Sequence, residues 1–98
     1  MYLKIHESTA GRIIAVCDAD ILGKKFQEGE AMLDLEKFKG FYAGKKCNEK
    51  EVADTMKHFT SANVVGKKAV AIFIENGYAS KEDIKSINGV PYIQVYKI

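Results

Sequence analysis

Gly66-Lys67-Lys68-Ala69-Val70-Ala71-Ile72-Phe73-Ile74-Glu75-Asn76-Gly77 is the stretch on which the fold class turns. Its centre, Ala69 to Ile74, is the longest uninterrupted apolar run of the chain and has the composition of a buried strand. Two features point the other way. Alanine recurs within the run, and Gly77 stands just past its end, where a helix commonly places a left-handed glycine. Read as a helix over 66–76, the stretch predicts an α+β domain. At six residues the apolar run is far shorter than the ~20 needed to span a bilayer as a helix.

Working outward, Asn48 predicts the start of a second helix. Its side chain can accept from first-turn amides, and Glu51 three residues on completes a capping-box pair. Val52, Met56 and Phe59 then fall on one face, with Lys50, Asp54 and Lys57 pointing elsewhere. At the N-terminal end, Tyr2 to Glu7 alternates as a strand, Ser8-Thr9-Ala10-Gly11 supplies a turn, and Arg12 to Cys17 returns as the second strand of a hairpin. Asp18 is expected to cap a short turn of helix through Leu22, stopped by Gly23. Glu30 to Leu35 predicts a third strand. Ser80 with Asp83 marks another short turn, and Ile84 to Ile87 and Tyr92 to Ile98 read as closing strands around Asn88-Gly89.

These elements predict one compact α+β domain over residues 1–98. Its small, mostly antiparallel sheet comes from both chain ends, and two main helices from the middle lie on one face. Pro91 is the only proline, and no linker divides the chain. The N-terminus lacks the basic, apolar and small-residue regions of a signal peptide, so the mature protein is expected to be the whole chain and cytoplasmic, without a membrane partner.

The net charge of +2 conceals an uneven distribution. Residues 1–36 hold four basic and seven acidic side chains, whereas residues 37–68 hold eight lysines against Glu49, Glu51 and Asp54. A basic middle third suits a polyanion partner. Among the fifteen cations only Arg12 is arginine, which argues for point-charge phosphate contacts rather than bidentate reading. Lysine enrichment also serves solvation and thermal stability. Gly-Lys-Lys recurs at Gly23, Gly44 and Gly66, but the structures expected around the copies differ, so no repeat is inferred.

Several motifs fall short of known chemistry. Gly40-Phe41-Tyr42-Ala43-Gly44-Lys45-Lys46 has one residue too few between its glycines for a phosphate-binding loop, and it lacks the hydroxyl that would hold magnesium. Lys39-Gly40-Phe41 begins like an RNA-recognition strand but departs at Tyr42 and Ala43. What remains is Phe38, Phe41 and Tyr42 interleaved with Lys37, Lys39, Lys45 and Lys46, with Lys67 and Lys68 opening the next element. Cations for phosphates and rings for stacking are the minimal equipment of a single-strand nucleic-acid surface. Burial of the rings beneath a solvated loop is the competing expectation.

Cys17, Cys47, His6 and His58 lack the close ligand spacing of a zinc site, and no metal or cofactor is expected. The two cysteines are expected as reduced thiols, Cys17 as a core side chain rather than a nucleophile. Asp18 and Asp20, two residues apart, could share a cation or a catalytic proton, but helix capping explains them more simply. Asn63 is expected to cap the second main helix, with a place in a cleft as the alternative. Asp18, Asp20, Asn63 and Tyr92 together form the candidate cleft, and Cys17 joins the first three in the enzymatic alternative.

Five glycine-anchored blocks carry a wider resemblance. They are Ala15-Val16-Cys17-Asp18, Ile21-Leu22-Gly23-Lys24, Phe41-Tyr42-Ala43-Gly44, Ser61-Ala62-Asn63-Val64-Val65-Gly66 and Gly89-Val90-Pro91-Tyr92. In order and spacing the chain resembles the archaeal domain of unknown function 424 family over essentially its whole length. The resemblance implies a small archaeal cytoplasmic protein with no established activity, in the company of translation genes. It also implies that a histidine often follows the proline of the last block. Tyr92 stands there in this chain, and an ordinary phenol pKa of about 10 does not replace a proton-transfer imidazole.

Together these readings predict a non-enzymatic RNA-binding or translation-associated module. Its contacts would come from Lys37, Lys39, Tyr42, Lys45, Lys46, Lys67 and Lys68, and its partner would be transfer or ribosomal RNA. A protein-interaction or self-associating domain is the first alternative, and a small enzyme with a cleft near Cys17, Asp18, Asp20 and Asn63 the second.

Overall fold

The computed structural model describes residues 1–96. The N-terminal hairpin forms as its alternation predicts: β1 (Tyr2–Ser8) pairs antiparallel with β2 (Gly11–Cys17), Tyr2 lying opposite Cys17. Two short strands, β3 (Lys25–Glu28) and β4 (Ala31–Asp34), make a separate ribbon. After them come α1 (Lys39–Tyr42), β5 (Lys45–Lys46), α2 (Glu49–Thr55), β6 (Ser61–Val65) and α3 (Lys67–Glu75). A 3-10 turn at Lys81–Asp83, β7 (Lys85–Ile87) and β8 (Val90–Tyr96) complete the described chain. The main sheet has the order β5-β1-β2-β6-β8-β7, and the fold is α+β.

The decisive stretch is a helix, and Gly77 follows it with φ +76°. The Asn48–Glu51 capping box is complete: Glu51 N donates to Asn48 Oδ1 at 2.9 Å and Asn48 N to Glu51 Oε1 at 3.3 Å. Ser80 and Asp83 form a second box, and Asn88 and Gly89, both with positive φ, make the two-residue turn between β7 and β8. The last strand begins two residues earlier than expected; Lys97 and Ile98, assigned to it from sequence, lie outside the described residues.

Three expectations need correction. The sheet is mixed rather than built only from the chain ends, because β6 from the middle of the chain inserts between β2 and β8 and runs parallel to β2. Asn63 therefore lies inside a strand and caps nothing; the residue at the N-cap of α3 is Gly66. Residues 19–23 form turns rather than a helical turn, and Asp18 caps α3 instead. In each case a long-range pairing overrode a local preference.

The pairing register divides the sheet into two unlike faces. Leu3, Ile14, Val16, Ala62, Val64 and Ile93 share one face and pack against Val52 of α2, Met56 just past its end, and Ala69, Val70 and Phe73 of α3. Truncating a side chain of this size in such a core costs about 2–5 kcal/mol. Ala15, Cys17 and Val65 point to the other face, beneath Leu35, Tyr42 and the β3–β4 ribbon. This second cover is partial. Below the Cys17–Val65 level, Ile13, Ser61 and Asn63 are only half-buried and Gln94 and Tyr96 are exposed.

Asn48→Ala removes one half of the α2 capping box and is expected to lower stability by about 1 kcal/mol in a urea titration. An unchanged midpoint would mean that burial of Val52 and Met56 alone holds the helix.

Candidate functional site

Two places gather polar side chains, and they lie at different parts of the sheet. The first is the end where β2 and β6 finish. Asp18, 7% exposed, follows β2 directly, and the parallel pairing sets it beside Gly66 at the start of α3. Its carboxylate accepts from Lys68 N at 3.0 Å and Ala69 N at 2.9 Å, and so takes up the helix's first free donors and its positive end. Gly66 has φ +110°, and a Cβ there would collide with the Asp18 carboxylate, so glycine is required twice over. Asp20, Lys67, Lys68 and Asn88 border a cleft of about 320 Å³ around this contact. Because both Asp18 oxygens are engaged by helix amides, the carboxylate acts as a cap.

Cys17, beside it, is fully buried and donates its thiol to Asp18 O at 3.4 Å. Burial, and secondarily the charges of Asp18 and Asp20, push its pKa up to about 12. A thiol so held is neutral at physiological pH and offers no nucleophile. Cys47 is half-buried, its thiol also pushed up by burial, and the two cysteines are free.

The second place is the open part of the sheet's other face. Asn63 of β6 and Gln94 of β8 are direct cross-strand partners, and Gln94 Nε2 donates to Asn63 Oδ1 at 3.2 Å. They line a cleft of about 350 Å³ together with Met32, Asp34, Phe38 and Phe41. Phe41 is fixed by β1: its ring stacks on His6 with centroids 4.4 Å apart and planes 11° apart, and His6 Nε2 donates to Phe41 O at 2.9 Å. Phe38 is 54% exposed, Met32 55% and Tyr96 72%. Asp34 Oδ1 accepts from the amides of Glu36 and Lys37 and so shapes the turn that presents Phe38. Lys37 Nζ lies 5.6 Å from the Phe38 ring centre, and Lys4 Nζ donates to Gly40 O at 2.6 Å.

The residues singled out from sequence are thus divided. Lys37 stands beside Phe38 of the open-face cleft, Lys39 opens α1, and Lys67 and Lys68 stand at the sheet end with Asp18 and Asp20. Lys45 is paired with Glu51 at 3.1 Å, which raises the lysine's pKa and lowers the carboxylate's, and Lys46 occupies the sheet edge. Asn63 does not converge with Asp18, Asp20 or Cys17, and the four-residue cleft expected from sequence does not exist as one site. Tyr92 is half-buried on the ribbon-covered part of the face. Tyr42 is a correction too: its ring is 9% exposed under Leu35, and burial pushes its pKa up to about 12. It lines the open-face cleft with little surface of its own, and Phe38 is the exposed ring of this segment.

Fold and site together define a small α+β protein with one helix-covered sheet face and one half-open face carrying a ring-and-amide cleft. The chain belongs to the family described as protein of unknown function DUF424, whose profile matches residues 6–98. It is also similar to a crystal structure of an uncharacterized conserved protein from Methanopyrus kandleri, with a TM-score of 0.82 and 27% identity over 97% of this chain and 89% of that one. That source agrees with the archaeal character expected from the sequence blocks. A comparison with curated proteins gives no match. Among the described residues, no helix is long and apolar enough to cross a membrane.

Two outcomes follow from the sheet-end geometry. Asp18→Ala is expected to cost about 2 kcal/mol or more in urea unfolding, since it removes two charge-assisted bonds from buried amides. The Cys17 thiol, raised from 9.0 to about 12, titrates earlier in the unfolded chain than in the folded one. Above pH 9 the unfolded state therefore binds fewer protons, and stability should fall as pH rises from 9 toward 12. Cys17→Ala should flatten that decline in denaturation midpoints measured across the same range.

Proposed function

We propose that the protein is a non-enzymatic cytoplasmic module that binds single-stranded RNA on the open face of its sheet. The observation that carries this reading is the cleft lined by Phe38, Phe41, Asn63 and Gln94, with the exposed Phe38 ring beside Lys37. Rings on a sheet face give unpaired bases a surface to stack on, and neighbouring lysines hold the phosphates between them. The excess of lysine between residues 37 and 68 supports the same reading. Against catalysis stand the capped Asp18 carboxylate and the neutral Cys17 thiol. Transfer and ribosomal RNA are the natural targets for a translation-associated module.

The second reading is a protein partner seated on the same face. The exposure of Met32 and Phe38 in the lining of the cleft favours it, since both are large apolar side chains.

Fluorescence anisotropy with labelled single-stranded RNA, competed by transfer RNA and ribosomal fragments at two salt concentrations, tests the proposal. Affinity should fall with salt, and the Lys37→Glu/Lys39→Glu variant should bind more weakly with a shallower salt slope. Phe38→Ala, at an exposed position, should lose about 1–3 kcal/mol of binding with its fold intact. Absence of binding even at low salt would sink the RNA reading and leave the protein partner.

A further inference from the structure

We propose that the open-face cleft takes one unstacked nucleobase and reads its edge with the free halves of the Asn63–Gln94 amide pair, preferring adenine or cytosine to uracil. The inference rests on the single-stranded RNA reading above and adds base selectivity to it.

The sheet register sets up the reading groups. Asn63 and Gln94 are held at one level of adjacent strands, and one hydrogen bond joins them. That bond uses one Gln94 Nε2 hydrogen and one Asn63 Oδ1 lone pair. Asn63 Nδ2 and Gln94 Oε1 have no protein partner among the described residues. A donor and an acceptor therefore stand side by side on the cleft floor. Reversing both amides exchanges which residue supplies which and leaves the same pair.

Asp34, on the wall, spends Oδ1 on the amides of Glu36 and Lys37 and keeps Oδ2 as a further acceptor. Two acceptors and one donor group suit a base with an exocyclic amino group beside a ring-nitrogen acceptor. Adenine and cytosine present this combination on their Watson–Crick edges, and guanine, with N1–H and its amino group beside the O6 acceptor, also matches two acceptors and one donor. Uracil presents a single N–H between two carbonyls, and one of those would face the Asp34 carboxylate.

The walls supply the rest of a base site. Phe38 and Met32 line it with much of their surface open to solvent, and Phe41 is held flat on His6. Apolar walls with a few convergent polar groups are the usual make-up of a small-molecule site, and about 350 Å³ lies in the range of such sites. Apolar faces take the base planes, and the amides discriminate at the edge, so affinity and selectivity come from different residues.

The test compares labelled oligo(A), oligo(C) and oligo(U) RNAs of one length and at one salt concentration on the full chain. Oligo(A) or oligo(C) is expected to bind about tenfold or more tightly than oligo(U). Gln94→Ala, at an exposed position, and Asn63→Ala should bring the three oligomers to similar affinities. Urea midpoints identify any variant that has merely lost its fold, and Gln94→Ala carries the test if Asn63→Ala does. Equal binding of all three by the wild-type protein, a preference for uracil, or discrimination that survives in a folded Gln94→Ala protein would each overturn the base-reading proposal and leave RNA binding standing. Binding of none of them would remove the RNA reading itself.

Discussion

The carboxylate of Asp18 joins the two halves of this protein. It ends β2, lies beneath the first turn of α3, and accepts from two amides fifty and fifty-one residues away in sequence. The contact is possible only because β6 runs parallel to β2 and delivers Gly66 to the same end of the sheet, and because Gly66 has no side chain in the way. The backbone N–H of Asp18 in turn donates to Val65 O, and Gly66 N donates to Pro91 O. One buried acidic residue thus fixes the start of the helix on whose packing the covered face depends. That commitment also withdraws the residue from chemistry.

The two faces of the sheet are unlike. On the covered face, aliphatic side chains from four strands meet α2 and α3, and among the described residues no buried side-chain nitrogen or oxygen lacks a hydrogen-bond partner. The other face is closed only at one end, by Leu35, Tyr42 and the β3–β4 ribbon, and stays open where Asn63, Gln94 and Tyr96 reach the surface. Its rings are positioned by their neighbours: Phe41 by stacking on His6 and Phe38 by the Asp34 turn. A rigid sheet floor with rings mounted on a short helix at its side is a surface whose geometry exists before any ligand arrives.

Much of this was legible in the sequence, wherever a local signal and its tertiary setting agreed. The Ile-rich hairpin, the Asn48–Glu51 box, the Gly77 stop and the Asn88-Gly89 turn each carry their cause within a few residues. Ser61–Val65 did not reveal itself, because five residues holding a serine and an asparagine read as easily as a cap. The cleft was hidden for the same reason. Asn63 sits between Ala62 and Val64, and Gln94 between Ile93 and Val95, so each is the polar member of an alternating strand. Only the register between two distant strands makes them a pair. Phe38, Phe41 and Tyr42 were recognisable as a group, but which ring is buried depends on how α1 lies across β1 and β2.

The parallel pairing of β2 with β6 has a consequence for how the molecule comes together. Ile13 meets Ser61 only after the intervening chain, with its ribbon, two helices and edge strand, has been closed into a loop. Closing such a loop costs entropy before the contact returns any, so this pairing belongs among the slower events of folding. The walls of the cleft are made of local structure, a ribbon and a helical turn that can form early. Its floor is made of β6 and β8 and exists only when the least local contacts are in place. A molecule seated there would bind the fully assembled chain alone, and would draw the folding equilibrium toward it.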